Sequence, residues 1–86
     1  MDYEITEFVK DGILMWKTEY GIEARYFVEG RGKDREITIE ARSIEYEFID
    51  ADKAGWETYT KHEIEFLQYV YACAVQNEIK CEKENT

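Results

Sequence analysis

Residues 3–20 read YEITEFVKDGILMWKTEY. Two hydrophobic-polar runs flank Asp11-Gly12, and an Asp-Gly pair is a strong hairpin signal because both central positions of a type I′ turn need positive φ. Pairing Lys10 with Ile13 sets Val9 opposite Leu14, Glu7 opposite Trp16, Ile5 opposite Thr18 and Tyr3 opposite Tyr20. Tyr3, Ile5, Val9, Leu14, Trp16 and Tyr20 then share one face, the expected core side of a hairpin with strands at 2–10 and 13–20.

The alternation continues beyond Gly21. Ile22, Ala24, Tyr26 and Val28 alternate with Glu23, Arg25, Phe27 and Glu29, which predicts a third strand at 22–29. Residues 30–34 (GRGKD) read as a five-residue turn. A fourth strand at 35–41 places Ile37, Ile39 and Ala41 inward. Ile44, Tyr46 and Phe48 then alternate with Glu45 and Glu47, but in the opposite phase. A straight strand over residues 35–50 would run about 53 Å at ~3.3 Å per residue. A domain of this size has a radius of gyration near only ~12 Å. The chain must therefore bulge, bend or break at Ala41-Arg42-Ser43. A fifth strand at 44–50 is expected, with a helix over 43–53 ended by Gly55 as the alternative.

Residues 50–59 read as a loop carrying one large side chain, Trp56. Thr60 and Glu63 form a Thr-x-x-Glu capping box, which starts a helix over 61–80. No Gly or Pro interrupts it. At about 100° per residue, Ile64, Leu67, Tyr71, Ala74 and Val75 form the stripe expected to cover the sheet. Phe66, Tyr69 and Cys73 lie on another side, with Val70 between. That second stripe is either a contact surface for a partner or a second copy, or is covered by the Trp56 loop or a curled sheet edge. Residues 82–86 read as a polar tail. The fold class expected is α+β: an antiparallel meander of four to five strands packed against one C-terminal helix.

The chain has 86 residues, enough for a single domain. Hydrophobic residues make up 44% and aromatics 15%, a globular composition. Twenty acids against 11 bases give a formal net charge of −9. Such a chain repels a phosphate backbone and an anionic membrane, so direct nucleic-acid binding is not expected. It attracts a basic partner. Between residues 36 and 59 there are seven acids and two bases, a net of −5. Same-face residues of a strand lie about 6.6–7 Å apart, near the phosphate spacing of one nucleic-acid strand. Glu36, Glu40, Glu45, Glu47, Asp50 and Asp52 are therefore candidate partner-binding residues, alongside Trp56, Phe66, Tyr69 and Cys73. A plain solvated strand face explains the same acids.

Chemistry beyond binding finds little footing. Residues 30–35 lack the spacing of a phosphate-binding loop. His62 is the only histidine, about 16 Å along the helix from Cys73, too far for a catalytic pair. Cys73 and Cys81 lie about 12 Å apart, too far for a disulfide. Three Cys and His in all are few for zinc. No catalytic residue, metal or cofactor is expected, and the protein is expected not to be an enzyme. No apolar run is long enough to span a bilayer, and the N-terminal residues do not read as a signal peptide. The expected location is the cytoplasm.

In size, charge and architecture the chain resembles small acidic proteins encoded by phages and mobile elements: anti-CRISPR proteins, DNA-mimicking anti-restriction proteins and antagonists of nuclease toxins. The resemblance covers general character along the whole chain and no specific motif, so it transfers no functional residue. It implies an inhibitor that occludes a basic nucleic-acid-handling protein, such as a CRISPR effector, a restriction nuclease or an endoribonuclease toxin. A homo-oligomeric assembly subunit, dimeric through the helix, and an immunity protein for a nuclease toxin are the alternatives.

Overall fold

The computed structural model describes residues 3–84, with side chains as far as residue 81. It is an α+β arrangement. Five antiparallel strands follow one another in chain order: β1 (Ile5–Lys10), β2 (Ile13–Thr18), β3 (Ile22–Glu29), β4 (Glu36–Ser43) and β5 (Ile49–Asp50). A four-residue helix α1 (Ala51–Ala54) and a long helix α2 (Lys61–Glu84) complete the chain, with short 3₁₀ turns at Gly32–Asp34 and Trp56–Thr58. Residue 2 of the expected first strand and residues 85–86 of the expected tail lie outside the described residues. Residues 82–84 of that tail continue the helix.

The first hairpin has the register its turn dictates. Lys10 pairs with Ile13, Val9 with Leu14, Glu7 with Trp16 and Ile5 with Thr18. Asp11 at φ 54° and Gly12 at φ 80° make the tight turn, matching the right-handed twist of the strands it joins. All eight residues of β3 pair with β4, which carries Ile37, Ile39 and Ala41 onto the face already holding Ala24 and Trp16. The capping box forms as expected. Glu63 N donates to Thr60 Oγ1 at 3.2 Å, and Thr60 N donates to Glu63 Oε1 at 2.8 Å.

Beneath α2 lies one cluster of Tyr3, Trp16, Ile22, Ala24, Ile39, Ala41 and Ala51, closed by Phe66, Leu67 and Val70. Its placement corrects the expected helix faces. Phe66 is 0% exposed, whereas Tyr71 is half exposed. The buried arc runs through Phe66, Leu67, Val70 and Ala74, with Cys73 packed at its edge. The sheet supplies the reason. Trp16 belongs to the same buried cluster as Phe66, and Ile5 and Leu14 pack against that cluster, so the first hairpin shares the core that Phe66 closes.

Two residues of the expected hairpin core also lie outside it. Val9 is 66% and Tyr20 is 74% exposed, because both sit near turns, where helix cover ends. The largest departure is at 44–50. Only Ile49 and Asp50 form a strand, pairing with Ala41 and Glu40. Residues 44–48 leave the sheet as a turn, and the alternative long helix reduces to α1, ended by Gly55 at φ 88°.

Candidate protein-binding surface

The loop that replaces the expected fifth strand is built on the sheet face away from α2. Directly opposed residues on β3 and β4 form two ion pairs of reversed polarity there. Arg25 Nε lies 2.9 Å from Glu40 Oε1, and Arg42 Nη2 lies 3.1 Å from Glu23 Oε1. Reversal sets the two guanidinium groups on a diagonal. The Phe48 ring lies over both, with its centroid 4.0 Å from Arg25 Cζ and 4.3 Å from Arg42 Cζ. Cation–π attraction is strongest where water is excluded, and these residues line one small recess with Met15. Met15, 2% exposed, is a core residue on the face that alternation assigned to solvent.

Phe48 fixes one end of the loop. The other is fixed where Ile44 N donates to Gly21 O at 3.1 Å, and Tyr46 N donates to Ser43 O at 2.9 Å to close a turn. Between these ties Ile44, Glu45, Tyr46 and Glu47 are exposed, with Tyr46 at 71%, and Ile49 is exposed just beyond. Tyr20 stands on the neighbouring β2–β3 turn. Apolar and acidic side chains are thus interleaved on a tethered projection. A cleft of about 320 Å³ between Tyr3, Tyr20 and His62 lies to one side. One of about 560 Å³ between Tyr46, Ile49 and Tyr59 lies to the other. Burial, then the carboxylates of Glu63 and Asp50, raise the Tyr59 phenol above its ordinary pKa.

The ten candidate residues do not form one patch. Glu45 and Glu47 are exposed on the loop. Glu40 is held by Arg25. Asp50 caps α1, its Oδ1 accepting from Asp52 N at 2.9 Å. Asp52 accepts from Trp56 Nε1 at 3.0 Å. Glu36 is exposed at the far end of β4, opposite Glu29. Trp56 is 38% exposed and Tyr69 moderately so, while Phe66 offers no surface. Tyr69 interacts with Cys73 through a side-chain hydrogen bond, the main cause of its raised pKa.

Sequence reasoning misses Ile44 and Tyr46 as surface residues because their alternation resembles a strand, Tyr20 because the hairpin register puts it on the core face, and Ile49 because it lies outside both patterns. The phase slip at Ala41-Arg42-Ser43 was the available signal. Among the described residues, no group of three or more His, Cys, Asp or Glu is placed to hold a metal ion, and no helix is long and apolar enough to cross a membrane. No family model, curated protein or solved structure matches the chain.

Proposed function

We propose that this protein is an acidic binding protein, not an enzyme, that inhibits a basic nucleic-acid-handling protein by covering its site one to one. The observation that supports this best is the 44–49 loop. It holds Ile44, Tyr46 and Ile49 in solvent alongside Glu45 and Glu47, and the Phe48 anchor lowers the entropy lost on docking. Aromatic groups at the centre of a contact slow dissociation, and a net charge of −9 speeds encounter with a basic groove. CRISPR effectors, restriction nucleases and endoribonuclease toxins share that groove chemistry, and the host cytoplasm is where such a partner would be met. An immunity protein for a nuclease toxin would bind in the same way. A homo-oligomer through α2 has less to build on, because Phe66 lies in the core.

Affinity capture from host cells tests the proposal. The wild-type protein is expected to recover a basic nuclease or other nucleic-acid-binding protein and to inhibit it at a one-to-one ratio. Glu45→Lys/Glu47→Lys and Tyr46→Ala are each expected to lose it. Equal recovery by all three proteins would contradict the proposal.

A further inference from the structure

β4 has an open edge. β3 pairs along all eight of its residues, but on the other side β5 pairs only with Glu40 and Ala41. Residues 36–39 therefore meet no strand on the β5 side among the described residues. Alternate residues of a strand aim N–H and C=O to each side, so two of these four present unpaired backbone there. Sheet edges are commonly blocked by proline, charged side chains or a bulge. Residues 36–39 read Glu-Ile-Thr-Ile, so Glu36 is the one charge on this edge and residues 37–39 carry neither charge nor proline.

Beside this edge runs a groove of about 500 Å³, whose walls include Ile37, Ile39, Leu67, Trp56, Tyr71 and Asp52. Trp56 and Tyr71 are substantially exposed. The indole is held in place by its bond to Asp52, so the groove is preformed. Asp52 carries the only formal charge among the lining residues. At the start of β4, Glu29 and Glu36 stand directly opposite one another and are both exposed, a like-charge pair that a cation between them would relieve.

We infer that residues 36–39 accept a basic, extended segment of a partner protein as an added strand. Its backbone bonds to the open edge, its alternate apolar side chains enter the Trp56 groove, and its Lys or Arg side chains, on the opposite face of the sheet, meet Glu36. Main-chain bonds give such binding its affinity, and side-chain pockets give it specificity. The chain's charge of −9 disfavours a second copy as occupant. Arg31, Lys33 and Arg35 lie on the turn before β4, which confines the matching cations to the stretch beside 36–39. The inference rests on the binding-protein reading only for the sign of the partner's charge.

The probe is the capped peptide Lys-Val-Arg-Ile-Lys-Val, titrated into ¹⁵N-labelled protein. Two further versions are N-methylated at odd or at even positions, which keeps the side chains and removes alternate donors. Amide signals of residues 36–39 and the Trp56 indole signal are expected to shift. One methylated peptide is expected to bind about tenfold more weakly while the other is little changed, since added strands use alternate donors. Trp56→Ala is expected to weaken binding several-fold. Equal binding by all three peptides, shifts confined to β1 or to the 44–49 loop, or no binding would each overturn the inference. So would a dimer, seen by sedimentation without peptide, that shifts the same amides. The 44–49 loop is untouched by this assay, so its failure leaves the proposed function standing. Conversely, failure of the Glu45/Glu47 test leaves the edge intact.

Discussion

Phe66 and Tyr69 sit three residues apart on α2 and have opposite fates. Phe66 closes the core, so Phe66→Ala is expected to cost about 3–5 kcal/mol, as removal of a fully buried aromatic does. Tyr69→Ala removes a ring that is 41% exposed and is expected to cost less than ~1.5 kcal/mol. Urea midpoints of the two variants check this. Similar losses at both positions would mean that the buried arc is misplaced. Trp16 carries a second residue-scale prediction. Its ring is 1% exposed, and its Nε1 is buried with no hydrogen-bond partner. Trp16→Phe keeps much of the ring and removes an unsatisfied donor, so it is expected to cost far less than the ~3–5 kcal/mol of Trp16→Ala. Near-equal losses would show that the indole nitrogen is bonded after all.

At the scale of elements, the Phe48 anchor decides what the 44–49 loop can do. Phe48→Ala releases the loop from Arg25 and Arg42 without removing a core residue. Amide exchange is expected to quicken across 44–49, with global stability reduced by about 1–2 kcal/mol. Tyr46→Ala is expected to change stability by less than ~0.5 kcal/mol, as an exposed substitution does. Unchanged exchange in Phe48→Ala would contradict the anchoring role. Local signals explain which elements were legible. Asp11-Gly12 set the hairpin register, the alternation of 22–28 and 37–41 set two strands, and Thr60 with Glu63 set the helix start. These signals act between near neighbours. The burial of Phe66 depends on its cluster with Trp16 of the first hairpin, which no helical stripe encodes. Alternation at 44–48 resembles a strand, yet Phe48 obtains its burial from two arginines on other strands. Glu40, Asp50 and Asp52 are candidate partner-binding residues in the sequence because their internal partners are visible only in the fold.

For the molecule as a whole, the phenols tie stability to pH. Burial, with Glu65 adding to it, raises the pKa of Tyr3, whose hydroxyl donates to His62 O at 2.8 Å. Tyr26 and Tyr59 are raised chiefly by burial too, with nearby carboxylates adding to it. The unfolded chain loses these protons near pH ~10, before the folded chain does. Their contribution is therefore present below that pH and is lost as pH rises through the higher folded values. Urea midpoints are expected to fall above pH ~10, and less steeply in Tyr3→Phe. An equally steep fall in that variant would remove Tyr3 from this account. Net charge, unlike the loop, is fully legible in the sequence, and it is the property by which the proposed function joins the loop to a basic partner. The most direct measurement is the salt dependence of the affinity for the captured partner, compared between the wild-type protein and Glu45→Lys/Glu47→Lys. Affinity is predicted to fall steeply with salt for the wild-type protein, and the variant to bind more weakly with a shallower dependence. Equal affinity and equal slope would contradict the account.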